Sequence, residues 1–400
     1  MPAQGTTMST RTQEHVEVTV IGGGAIGLSI AWRAARSGLR CRLLERDRLG
    51  HGTSRVAAGM LAPVGEADPG ESAGLALGLD SAARWPGYAA ELACEGGDPG
   101  LQRCGALRVA RDGDEAEALE REHALRRDLG LEVTRLRPSE ARRREPALAP
   151  DIRLALDLPD DHAVDPRALC LALGRAARAA GVEIREDSAV EALLGSDDQL
   201  TGVRVASGVQ LGSDQVVIAA GPWSAGSWVP EALRPPVRPV KGQALRLRDP
   251  SGPGLVGRVL RLERSYLVPR GDGRYVLGAT MEERGFDTAV TAGGVWELLD
   301  DAAGVVPGLL ELELEEVSAG LRPGTPDNGP LIGARAGDPG GLLWATGHHR
   351  NGILLAPVTA EAIVALLTGR QPPVSAEKFS PDRFAPAGND RLPGALEAAA

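Results

Sequence analysis

A run of mostly β-branched residues, Val16-Glu17-Val18-Thr19-Val20-Ile21, passes directly into Gly22-Gly23-Gly24-Ala25-Ile26-Gly27. No other stretch restricts the fold of this chain as tightly. The run reads as a strand. A helical segment from Ala25 to Ser37 follows, closed by Gly38, and Cys41-Arg42-Leu43-Leu44-Glu45 supplies a second strand. The result is one βαβ unit, whose right-handed crossover implies a parallel sheet. Each glycine of the turn has a task. Gly22 allows the tight turn, Gly24 lets backbone approach a pyrophosphate, and Gly27 allows close packing of helix on strand. The helix start then offers unpaired N–H groups and a favourable dipole to a diphosphate. Glu45 stands at the end of the second strand, about 20 residues on, where an acid accepts hydrogen bonds from ribose hydroxyls. The turn therefore predicts a dinucleotide site.

The turn alone leaves open whether the dinucleotide is NAD or FAD. The next motif, Thr53-Ser54-Arg55-Val56-Ala57-Ala58-Gly59-Met60-Leu61-Ala62-Pro63, places hydroxyls and then small residues at a helix start. That pattern suits close approach to a second stretch of phosphate and to an isoalloxazine ring, or a small-residue helix packed under the sheet. A further αβ pattern begins at Asp165-Pro166, an N-cap and first-turn pair. Its helix runs to Ala180, Gly181 ends it, and Val182-Glu183-Ile184 opens a strand, with short strands following near Val190, Val203 and 216–220. Residues 86–154 are rich in Arg and Glu with helical periodicity. Residues 236–319 mix strands at 266–268 and 275–277 with a helix around 295–303, and a closing helix covers 359–367. The expected organisation is two domains interleaved along the chain. A cofactor domain is built from 16–85, 155–235 and 320–372, and a substrate domain from 86–154 and 236–319. Residues 1–15 form a disordered tail, and 373–400 a tail too poor in apolar residues to pack. Ligands belong in the crevice between the domains.

Composition excludes several classes. The formal net charge of −10 argues against a nucleic-acid surface, and Arg142-Arg143-Arg144 reads as a solvated helix face. No run approaches the roughly 18 apolar residues that cross a bilayer. The four cysteines show no metal-ligand spacing, and apart from His348-His349 the histidines are scattered, so no metal site is expected. The thiols read as reduced, in a soluble cytoplasmic protein.

Beyond the turn, six pieces follow one another along the chain: Ala57–Pro63, Pro239-Val240-Lys241-Gly242-Gln243, Tyr266-Leu267-Val268-Pro269-Arg270, Gly278-Ala279-Thr280-Met281, Gly320-Leu321-Arg322-Pro323-Gly324-Thr325 and the run from Gly347 to Pro357. Over roughly residues 16–372 the chain resembles the glycine oxidase (ThiO) branch of the D-amino acid oxidase-like flavoproteins. The resemblance implies an α/β (α+β) two-domain fold, a Rossmann-like FAD-binding domain beside a substrate domain on a mainly antiparallel sheet. It places Ala25 and Ile26 at the FAD diphosphate and Glu45 and Arg46 at the adenosine ribose. Thr53, Ser54, Ala58, Gly59 and Met60 approach the phosphates and flavin, and Val190 meets the adenine. His348, His349, Arg350, Asn351, Gly352, Ile353 and Leu354 line the flavin's pyrimidine side. No cysteine follows Cys170, so FAD is expected to be held without a covalent bond.

A small amino acid must present its α-carbon to the flavin, and an arginine fork suits its carboxylate. The resemblance gives that role to Arg322, with the Tyr266 hydroxyl as second donor and Arg350 nearby. Met281 and Met60 are candidates to narrow the pocket. Arg264, two residues before Tyr266, stands where some relatives carry His. The expected reaction is hydride transfer from glycine to the flavin, with O2 reduced to hydrogen peroxide. The imine is hydrolysed or passed to a thiazole synthase for thiamine synthesis, and relatives often self-associate. Alternatives are sarcosine, proline or D-amino acid oxidation, a dehydrogenase that uses another acceptor, and a flavin-binding subunit without catalysis.

Overall fold

The computed structural model describes residues 15–68 and 70–384. Two eight-stranded sheets organise it. In the first, the β-branched run Val16–Ile21 lies at the centre, fully paired and parallel to both Cys41–Leu44 and Gln210–Ile218. Glu183–Arg185 extends the parallel set on one side and Leu342–Thr346 on the other, with Leu331–Gly333 antiparallel at the edge. Val190–Gly195 and Leu200–Val205 form an antiparallel hairpin that joins through Gln210–Ile218. Central strands buried on both faces need continuous apolar runs, and Val20-Ile21, Leu43-Leu44 and Val216-Val217-Ile218 meet that need, alternate residues entering the cores on the two faces.

Helices Ala25–Arg36, Pro166–Ala179 and Ala356–Leu367 cover one face of this sheet and share one core with it. The Asp165 side chain caps the second of them by accepting from the Arg167 N–H at 2.9 Å, as its position before Pro166 predicts. The long helix Ser72–Glu95 corrects the expected organisation. It runs straight through the proposed boundary at 85/86, with Pro86 inside it. Leu77, Ser81, Trp85, Tyr88 and Leu92 recur every three or four residues and face the first core, so the helix packs with the cofactor sheet along its length.

The second sheet runs in the order Glu313–Gly324, Arg238–Arg248, Arg274–Gly278, Tyr266–Pro269, Val259–Arg261, Ala106–Ala110, Leu154–Leu158, Thr134–Leu136. All its pairings are antiparallel except that of Val259–Arg261 with Ala106–Ala110. Leu154–Leu158, which the sequence divided at 155, belongs to this sheet, paired with Ala106–Ala110. The expected helical character of 86–154 holds for Gly113–Asp128 and Pro138–Arg144 but misses the short strands between them. Helix Ala292–Ala303 packs on the sheet through Leu298 and Ala302. Arg142, Arg143 and Arg144 are exposed, as expected of a solvated face.

Both termini differ from the expected tails where they are described. His15 sits 2.7 Å from the Asp214 carboxylate, and residues 1–14 lie outside the described residues. After Pro373 the chain packs: Ala376 and Phe379 enter the first core, Phe379 C=O accepts from Ile332 N–H, and Arg383 pairs with Asp327 at 2.8 Å. Two apolar residues three apart, Ala376 on the short helix Val374–Glu377 and Phe379 in the turn after it, suffice to dock it. Residues 385–400 lie outside the described residues. Among the described residues no helix is long and apolar enough to cross a membrane.

Candidate active site

The glycine turn is shaped by collisions that only glycine avoids. Gly22 has φ +111°, and a Cβ there would meet the Ala219 carbonyl oxygen at 2.4 Å. A Cβ on Gly27 would lie 1.9 Å from the Gly22 carbonyl oxygen, which fixes how closely helix Ala25–Arg36 approaches its strand. Gly24 is different. A Cβ there would meet only the Ser54 hydroxyl, at 3.3 Å, so its bare backbone faces open space. Gly24 is the N-cap, without a side-chain cap, and the Ala25 N–H donates to Ser54 Oγ at 3.1 Å. Glu45 accepts from the Gly23 N–H at 2.6 Å and the Asp47 N–H at 3.0 Å. It holds the turn shut and keeps further lone pairs for other donors.

These residues open into one cleft of about 1440 Å³ between the two sheets. The cofactor side contributes Gly22, Gly24, Ala25, Ile26, Glu45, Arg46, Thr53, Ser54, Ala58, Gly59, Met60, Val190 and 348–353. Gly27, spent on helix–strand packing, is one exception among the expected contacts, and Leu354 is the other. Its side chain is buried in the first core, while its carbonyl oxygen accepts from Ser81 Oγ and Trp85 Nε1. Thr53 likewise spends its hydroxyl on structure, donating to the Leu321 carbonyl oxygen at 2.5 Å beside Arg322. His348 and His349 are both buried. Burial pushes His348 down to about 3, and burial together with Arg350, Arg322 and Arg238 takes His349 to about 4. Both imidazoles are therefore neutral near pH 7. An extended dinucleotide fits this cleft: a bare helix N-terminus lies at one point, an acid at the strand end, and small residues along the wall.

The second sheet supplies the opposite wall. Arg322 sits opposite Val240 on neighbouring strands, and its guanidinium donates to the carbonyl oxygens of Thr280 at 3.1 Å and Lys241 at 3.3 Å. Gly242 makes room for it, since a Cβ there would lie 2.5 Å from Nη1. Eight arginines line the cleft. Seven of them (Arg46, Arg108, Arg121, Arg126, Arg261, Arg264 and Arg350) stand in ion pairs. Arg322 has no carboxylate partner among the described residues. Its charge is anchored by neutral carbonyls and left for a ligand.

Tyr266 lines the same wall, its ring packed over Gly278, where a Cβ would meet the hydroxyl at 3.0 Å. Met60 and Met281 also line the cleft. Met281 is 64% exposed, so it stands at the mouth and does not seal the interior. Arg350 reaches Glu66 at 3.0 Å, and Glu66 also binds Arg261 at 2.6 Å. Burial raises the Glu66 carboxyl, but the two arginines outweigh it and hold it at about 2. In this geometry Arg350 is neutralised, unlike Arg322. Arg264 pairs with Asp301 and Asp300 on helix Ala292–Ala303.

Sequence reasoning missed Glu66, Arg261, Gly242 and Arg270. Arg270 is buried and bridges the walls, donating to the carbonyl oxygens of Ala58 at 2.6 Å and Val164 at 3.2 Å. The motif Tyr266-Leu267-Val268-Pro269-Arg270 was the available signal, because a lone arginine at the end of an apolar strand needs internal acceptors.

The comparisons with known proteins agree with this geometry. A family model described as FAD dependent oxidoreductase (DAO) matches residues 17–366. The chain belongs to this family. It is an FAD-dependent oxidoreductase with the two-domain fold that the resemblance implied. A glycine oxidase of Geobacillus kaustophilus is 34% identical over 91% of this chain and 96% of its own length. The crystal structure of glycine oxidase from the same organism superposes with a TM-score of 0.85 at 33% identity, covering 92% of this chain and 98% of that one. A bifunctional ThiO/ThiG protein of Synechocystis is 37% identical over 93% of this chain. The chain spans about half the length of that relative, 54%.

Proposed function

We propose that this enzyme oxidises glycine, and other small amines, to the imino acid, with O2 reduced to hydrogen peroxide. The observation that carries the reading is the one cleft arginine without an acidic partner among the described residues, Arg322, held by two carbonyl oxygens. A guanidinium so placed gives a planar fork for a carboxylate at little reorganisation cost. Tyr266 on the same wall is the second donor, and together they fix the substrate's orientation.

Bound FAD supplies the hydride acceptor. The chain's own contribution is positioning. Arg322 and Tyr266 hold the carboxylate end, which leaves the α-carbon directed toward the wall formed by Ala58–Met60 and 348–353. Neutral His348 and His349 put no competing positive charge beside the carboxylate. Arg350, expected near the clamp, is occupied by Glu66 and supports the cleft wall. The relatives' names support glycine over larger amines, and the ThiO/ThiG fusion supports delivery of the imine to a thiazole synthase in the cytoplasm. Self-association of the chain belongs to the same reading. Aerobic mixing of the purified yellow protein with glycine tests it: stoichiometric peroxide and glyoxylate are expected. Flavin that glycine bleaches only without peroxide formation on re-aeration would mean a dehydrogenase instead.

A further inference from the structure

The loop 279–291 is the part of the cleft wall that substrate binding leaves least explained. It leaves strand Arg274–Gly278, runs along the mouth and enters helix Ala292–Ala303. It carries Phe286, a large apolar side chain that is 54% exposed. The ring is nevertheless held. It stacks on Trp223, with centroids 6.2 Å apart and planes at 29°. Trp223 comes from the opposite wall, on the short helix Gly221–Ala225 that follows the central strand Gln210–Ile218. It also carries the Arg46 guanidinium, 3.8 Å from its ring centroid.

All three residues line the cleft, so the stack is a bridge across it. The loop side of the bridge is anchored from beneath. Lys241 is 1% exposed, and its ammonium reaches Asp287, the neighbour of Phe286, at 3.4 Å and Glu282 at 3.6 Å. The backbones of Lys241 and Glu282 exchange two hydrogen bonds. Asp287 also accepts from the Ala289 N–H at 2.8 Å. A loop that only connected a strand to a helix would not require a buried ammonium beneath it.

We propose that Phe286 and Trp223 form a latch over the nucleotide arm of the cleft and slow the release of bound FAD. That arm is the stretch lined by Glu45, Arg46, Val190, 219–221 and Trp223. A cofactor lying along it from the glycine turn leaves only after the rings part. The inference rests on the FAD assignment and is independent of which amine is oxidised.

The test is the dissociation rate of FAD, read as the rise of free-flavin fluorescence when holoenzyme is diluted. A stacked aromatic pair shifts an open–closed equilibrium by about three- to tenfold. Phe286→Ala should therefore speed release by about fivefold. Asp287→Asn, which touches neither ring, should speed it to a smaller degree by loosening the anchor. In a Trp223→Leu background Phe286→Ala should add nothing further, because the ring has no partner left to lose. Release at the wild-type rate from Phe286→Ala would overturn the latch. Multiplicative effects of the Phe286 and Trp223 substitutions would overturn it equally, since they would show two independent contacts.

Discussion

Gly242→Ala separates the position of the clamp from its charge. Gly242 is a paired residue of strand Arg238–Arg248, so the backbone accepts alanine without rearrangement. The new methyl would lie 2.5, 2.6 and 2.7 Å from Nη1, Nη2 and Cζ of Arg322. Ordinary contacts of this kind are about 3.5 Å, so the guanidinium must retreat by about 1 Å. It is the far end of a flexible side chain, which makes the folding cost small. The catalytic cost is larger: a misplacement of about 1 Å is worth roughly 100-fold, or about 2.7 kcal/mol of transition-state stabilisation. The assay is kcat/KM for glycine on protein whose flavin content and urea midpoint match wild type. Activity within threefold of wild type would refute the reasoning, because a displaced fork would then serve as well as a placed one.

Glu66→Gln should destabilise the FAD-saturated protein by about 3 kcal/mol in urea, because it strips the partner from Arg261 and releases Arg350; an unchanged midpoint would remove Glu66 from the account. The Glu66 carboxyl is depressed to about 2 from 4.5, so its contribution is fully present above about pH 4.5 and lost as pH falls toward 2. Protonation neutralises Glu66 but would charge His348, and the two share the same acid sensitivity because the fold depresses both pKa values. The fold keeps His348 neutral with its pKa at about 3 against 6.5, so stability declines as pH falls from 6.5 toward 3, by at most about 5 kcal/mol. His348→Gln, which can keep the bond to Thr359 Oγ1, should flatten that slope in urea titrations across the same window; an unaltered slope would place the titration elsewhere.

The readable parts of this chain were those whose physics is local. The glycine turn, the Asp165 cap and the apolar runs of the central strands each state their geometry within a few neighbours. Arg322 and Tyr266 were reached only through the resemblance, since a single arginine beside proline carries no charge pattern of its own. What escaped was assembled across the chain. Glu66 and Arg261 are 195 positions apart, and Trp223 and Phe286 belong to different walls. Helix Ser72–Glu95 was divided at the wrong place because the Arg- and Glu-rich composition that begins near residue 86 reads as a new segment, yet core contacts on both sides of Pro86 hold the helix together. Leu354 followed its motif into the list of cofactor contacts, although apolar neighbours claim its side chain.

Reduction of the bound flavin by glycine under anaerobic conditions, in wild type and in Arg322→Ala, addresses the proposed chemistry at its root. Wild type should bleach, whereas the variant should stay yellow with full FAD content and react about 150-fold more slowly at low glycine, the loss of about 3 kcal/mol from one charged partner. Equal bleaching rates in the two proteins would contradict the account.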